Sequence, residues 1–148
     1  MKRQDTNYMP IFLMFDTTKT VFMKFLRFHK GFFALVIFYF IIEVVIALYI
    51  RDQYIRPFMG DVIVIWFVYY FIRTFVNIKP IYIAIFTLLF AFAVEVGQYF
   101  KLIEILGWQD VTLAKVIIGN TFSWVDLFCY VVGFLMLFLF DKDLRNKT

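Results

Sequence analysis

Residues 32–50 read F-F-A-L-V-I-F-Y-F-I-I-E-V-V-I-A-L-Y-I, an apolar run broken by a single charge, Glu43. A helix needs roughly 20 such residues to cross the hydrocarbon core of a bilayer. Three further runs of comparable length follow, at 58–76, 81–100 and 122–140. Pro57 and Pro80 stand just before the second and third runs, where a missing N–H does no harm. Asp141 and a polar tail, 141–148, end the fourth. No small-residue cleavage site follows the first run, so it reads as a retained helix rather than a signal peptide.

The composition agrees. Of 148 residues, 64% are hydrophobic and 23% aromatic, with a mean hydropathy of +0.83. A soluble fold of this size cannot hide that much apolar surface. The expectation is an all-α polytopic membrane protein, a single membrane domain over 1–148. It has four transmembrane helices, an N-terminal amphipathic helix within a 1–31 cytoplasmic segment, and an interfacial loop or helix on the outer face. The basic residues lie between the apolar runs rather than on a polar face, which excludes nucleic acid as a partner despite the pI of 9.2. One cysteine, Cys129, and one histidine, His29, cannot build an internal disulfide or a multi-histidine site. No HExxH, glycine-rich phosphate loop or GxSxG elbow is present. No metal or cofactor is expected, and whether the chain is an enzyme stays open.

Lysines and arginines set the orientation. Lys2, Arg3, Lys19, Lys24, Arg27, Lys30, Arg73, Lys79, Lys142, Arg145 and Lys147 fall on one side, and Arg51, Arg56, Lys101 and Lys115 on the other. The richer side should be cytoplasmic, with both termini inside a bacterial plasma membrane. Lys19 to Lys30 places its cations on one helical arc and Val21, Phe22, Phe25, Leu26 and Phe28 on the opposite one, the pattern of a helix lying on an anionic surface. The alternative is a basic flank that only sets topology. The loop from Lys101 to Thr121 is long and apolar, and should rest on the outer interface with Trp108 as anchor, as a lid or as filler.

The polar residues inside the spans collect at one depth. With alternating direction, Glu43, Asp61, Glu95, Gln98, Asp126 and Tyr130 all fall toward the outer face, beside Arg51, Asp52 and Arg56 of the short outer loop. The inner halves offer little comparable. A charge in mid-membrane costs roughly 2.5–3.5 kcal/mol on insertion scales, so these groups should face the bundle interior and find partners. Glu95 and Gln98 share a helix face, and Asp126, Tyr130 and Gly133 form another stripe, in which Gly133 admits a neighbouring helix. Plainer readings stand beside these. Asp61 follows Gly60 at a helix start and can serve as a cap, while Ser123 and Asp126 resemble a capping box. Arg51 and Arg56 can pair with Asp52 or with lipid phosphate. Tyr130 and Cys129 can be packing residues, and His29 an interfacial one. Glu43 and Glu95, away from helix starts, resist such readings best, although a buried Glu–Arg pair can be structural.

The stretches R-D-Q-Y-I-R-P-F-M-G-D at 51–61, A-V-E-V-G-Q-Y-F at 93–100 and F-S-W-V-D-L-F-C-Y-V-V-G at 122–133 together resemble a family of small bacterial membrane proteins known as a domain of unknown function, number 2809. The E-x2-Q followed by D-x3-Y-x2-G is also similar, more distantly, to the VanZ-like membrane proteins, a group associated with teicoplanin tolerance. Glu95, Gln98, Asp126 and Gly133 map onto that pattern, with Tyr130 where asparagine is common. The interval between Gln98 and Asp126 is longer here and the usual arginine has no clear match. What the likeness implies is a shared scaffold with an outer polar site.

Three functions compete. The first is a site for a lipid or isoprenoid-linked envelope amphiphile. Arg51 and Arg56 would hold phosphate or carboxylate there, Glu95 and Asp126 would hold hydroxyl, amine or cation groups, and Asp61, Gln98, Tyr130 and Glu43 would complete the site. The second is an ion or proton pathway through Glu43, Glu95 and Asp126, in an oligomer of this small chain. The third is an assembly partner for other membrane proteins, with the polar cluster serving as helix-packing glue.

Overall fold

The computed structural model describes residues 26–50, 52, 55–108, 110–111 and 122–146. Six helices are seen among them: α1 Lys30–Tyr49, α2 Ile55–Phe75, α3 Pro80–Tyr99, α4 Leu102–Ile105, α5 Trp124–Phe140 and α6 Lys142–Asn146. Three stretches, Lys30–Tyr49, Phe58–Phe75 and Pro80–Tyr99, are long and apolar enough to cross a membrane. The fourth expected span is shorter, a 17-residue apolar helix from Trp124 to Phe140. At 1.5 Å per residue it covers about 25 Å, a little under the roughly 30 Å hydrocarbon core.

Helix ends follow local chemistry. α3 opens on Pro80 at its first position, as the sequence suggests. α2 begins at Ile55, so Pro57 lies inside its first turn rather than before it. The first N–H groups of a helix have no intrahelical partner, and proline there loses nothing. Ser123 caps α5 by accepting from the Asp126 N–H at 3.4 Å.

The expected amphipathic helix over Lys19 to Lys30 is corrected at its end; residues 19–25 lie outside the described residues. Leu26 to His29 is not helical. It is extended, Leu26 pairs with Val76 in an isolated antiparallel bridge, and the Arg27 and His29 N–H groups donate to the carbonyls of Phe75 and Thr74, both at 2.9 Å. The last carbonyls of α2 have no intrahelical donor. The chain entering α1 supplies one. After α3, Lys101 takes a left-handed φ of 51° and α4 makes a single turn that buries Ile103. Trp108 is exposed, and most of the remaining loop, 112–121, lies outside the described residues.

α2 is the hub of the bundle. It packs on α1, α3 and α5, α3 also meets α5, and α1 meets α2 alone. Ile65, Tyr69 and Tyr70 of α2 join Val36, Ile83, Tyr130 and Leu137 in the core. The tightest approach is at Gly133 of α5. A Cβ built there would stand 2.7 Å from the Val62 carbonyl oxygen and 3.3 Å from Ile65 Cβ. The Trp66 indole N–H also donates to the Gly133 carbonyl, at 2.9 Å, and ties the crossing together.

Alanine at position 133 should therefore destabilise. Its better helix propensity is worth about 1 kcal/mol. Overpacking against a fixed backbone carbonyl costs about 1–3 kcal/mol. Gly133→Ala is expected to lower the thermal midpoint in detergent and Gly133→Val to lower it further. A Gly133→Ala midpoint above wild type would contradict this packing.

Candidate functional site

Four helices each deliver one carboxyl group to the same end of the bundle. Glu43 lies six residues before the end of α1 and Asp61 six after the start of α2. Glu95 lies four before the end of α3 and Asp126 two after the start of α5. At 1.5 Å per residue all four sit within about 9 Å of their helix ends. The antiparallel run of successive helices makes those ends coincide.

The groups lie close together. The Asp61 carboxyl stands beside the Asp126 carboxyl, with Glu95 and Glu43 as its next charged neighbours. Glu95 is fully buried, and its Oε1 accepts the backbone N–H of Ser123 at 2.5 Å. The loop before α5 is thereby fastened to α3. Tyr130 is buried beside Asp61, Glu95 and Asp126. Glu43 reaches the backbone of α2, its Oε2 lying 3.5 Å from where a Cβ on Gly60 would stand. Among the described residues, three buried carboxyl oxygens have no hydrogen-bond partner: Glu43 Oε1, Asp61 Oδ2 and Glu95 Oε2. Each such orphan costs about 1–3 kcal/mol.

Glu43, Asp61, Glu95, Asp126 and Tyr130 are thus brought together. Gln98 is half-buried on α3, one turn beyond Glu95. Arg51 and the side chain of Arg56 lie outside the described residues. Ser123 accepts the Asp126 N–H as the capping box predicts, but its own N–H donates to Glu95 instead of Asp126, and the Asp126 carboxyl lies beside Asp61. Buried Cys129 neighbours Asp61 and Asp126. Among the described residues, no three such side chains converge closely enough to hold a metal ion. The cluster presents acceptors to whatever occupies it, and a proton, an ammonium or a hydroxyl would complement them.

The opposite end of the bundle is not empty of charge, which corrects the expectation of bare inner halves. Arg73 of α2, counted from sequence as a topology signal, is 8% exposed. Its guanidinium pairs with Asp141 at 2.6 Å and Asp143 at 2.9 Å. It also donates to the Tyr69 hydroxyl at 3.1 Å and lies 4.1 Å from the centre of the Phe32 ring. Tyr69 and Tyr70 both hydrogen-bond Asp141. The other oxygen of Asp141 caps α6 by accepting from the N–H groups of Asp143 and Leu144. A sequence signal was available. An acid at a helix C-terminus opposes the helix dipole, so Asp141 after a long apolar run calls for a nearby cation.

This pair should act as a unit. Removing one partner of a buried ion pair costs about 3–5 kcal/mol, because the other charge is stranded. Arg73→Met alone is expected to lose that much stability in detergent unfolding. The double variant with Asp141→Asn, which keeps the α6 cap, should lose clearly less than the sum of the two singles. Strict additivity in that cycle would show that the contact carries no coupling.

No curated protein and no solved structure matches the chain significantly. The family model described as protein of unknown function (DUF2809) matches residues 50–134, which runs from the end of α1 through Asp61, Glu95 and Asp126 to the Gly133 crossing. The chain belongs to this family of unknown function.

Proposed function

We propose that the chain is a bacterial plasma-membrane protein that binds the amine- or hydroxyl-bearing head of a membrane amphiphile at the carboxyl cluster. The amphiphile is a lipid or an isoprenoid-linked envelope intermediate. On this reading α5 crosses the membrane with α1, α2 and α3, both termini are cytoplasmic, and the cluster opens toward the outer leaflet. One observation carries it. Four helices converge on a group of acceptors, and among the described residues three carboxyl oxygens there have no hydrogen-bond partner. A native fold leaves few such groups unsatisfied, and those it does leave mark a place where something else binds. The resemblance of the E-x2-Q and D-x3-polar-x2-G spacing to the VanZ-like pattern, with Tyr130 at the polar position, is in keeping with such a site.

A second reading is a proton or cation pathway. It is favoured by the closeness of the Asp61 and Asp126 carboxyl groups and by the polar network around Arg73 and Asp141 at the far end. Against it stand Ile65 and Leu137, each 1% exposed, packed between the two polar ends. A dry apolar layer of that kind interrupts a relay.

Native mass spectrometry from lipid nanodiscs separates these readings. Wild-type protein should retain an amine- or hydroxyl-bearing lipid adduct. Glu95→Gln and Asp126→Asn should each lose about tenfold in occupancy, roughly 1.4 kcal/mol, with nearly unchanged unfolding midpoints. Equal adducts on all three proteins would sink the binding site. No adduct, together with liposome proton flux that vanishes in Glu95→Gln, would transfer the case to the pathway. Unfolding of both variants with no ligand found would leave the cluster as helix-packing glue.

A further inference from the structure

At the end of the bundle opposite the carboxyl cluster, a cleft of about 60 Å³ opens between the chain entering α1 and the end of α2. Arg27, His29, Phe32, Arg73 and Asn77 line it. Its walls are fixed by backbone, since the bonds from Arg27 and His29 to Phe75 and Thr74 hold the two segments side by side. Arg73 is held by Tyr69, Asp141 and Asp143 through two of its nitrogens. A guanidinium carries five N–H donors, so those bonds leave some for an occupant of the cleft. Arg27 has no ion-pair partner among the described residues. His29 stacks on Phe32 with ring centres 4.4 Å apart, which holds the imidazole in place.

We infer that this cleft binds a phosphate group. Arg27 supplies an unopposed guanidinium, whose planar fork matches phosphate oxygens. The His29 imidazole adds a hydrogen-bonding group, and Arg73 lines the cleft from the helix side. The space suits one small oxyanion. The donors lie where a helix bundle of spanning length meets the membrane surface, so the phosphate comes either from a lipid headgroup or from solution. The inference is independent of the carboxyl cluster, which lies on the far side of Ile65 and Leu137.

His29 is the chain's single histidine, so its imidazole resonances report on the cleft without assignment. The protein is placed in nanodiscs of phosphatidylcholine and titrated with inorganic phosphate. It is then placed in discs containing phosphatidylglycerol. The expected result is a saturable His29 shift in one of the two arms. Arg27→Gln should weaken it about tenfold, while Lys30→Gln, which removes a neighbouring charge outside the cleft, should leave it intact. A shift with inorganic phosphate identifies a soluble ligand, and one confined to phosphatidylglycerol identifies a headgroup. No shift in either arm overturns the site. So does a shift that persists in Arg27→Gln, or one that both variants weaken equally, because that is surface charge alone. Arg27→Gln keeps the backbone N–H that pairs with Phe75, so the cleft walls stay in place.

Discussion

A bundle with this apolar exterior offers its interior polar groups no water, so each must find its partner within the protein or in a ligand. The two ends of this molecule meet that constraint in opposite ways. At one end Arg73 lies among Tyr69, Asp141 and Asp143, and each charge has an answering group. At the other, Glu43, Asp61, Glu95 and Asp126 gather with a backbone donor from Ser123, and three of their buried oxygens have no hydrogen-bond partner among the described residues. At the first end the buried charges balance one another. At the second, acceptors gather without a cation among the described residues.

Both ends depend on α2. It carries Asp61 and Arg73, three turns apart on one helix that touches α1, α3 and α5. Its close approach to α5 at Gly133 sets the spacing that lets Asp61 reach Asp126 at one end and Arg73 reach Asp141 at the other. A side chain at position 133 would push the helices apart between these two contacts. The small residue therefore governs both polar clusters without touching a ligand.

Much of this was legible in the sequence, because lipid makes it so. Long apolar runs give the helices, and an acid inside such a run is conspicuous enough to nominate Glu43 and Glu95. The alternating direction of short-looped spans then brings Asp61 and Asp126 to the same level, and Ser123 three residues before Asp126 announces a cap. The Arg73–Asp141 pair was hidden for a physical reason. An arginine near a span end looks like a topology signal, and only tertiary packing decides that its head folds inward over Phe32 instead of outward to water. The end of the segment before α1, Leu26 to His29, departs from the expected helix for a similar reason. Its 3.6-residue pattern is real, but the free carbonyls of Thr74 and Phe75 lie distant in sequence and recruit its end into extended pairing. Nonlocal hydrogen bonds of this kind leave no periodic trace.

The asymmetry between the ends also bears on what the molecule can do. Ile65 on α2 and Leu137 on α5 fill the space between them almost without exposure. Communication across that layer would have to pass through the rigid body of α2, since no chain of polar groups crosses it among the described residues. A helix pinned at Asp141 by a buried ion pair is a poor sliding element, because displacing it by even a fraction of a turn would strand both charges. The carboxyl end is therefore held against a fixed frame. On the proposed reading its acceptors are preorganised, and binding there need not reorganise the rest of the bundle.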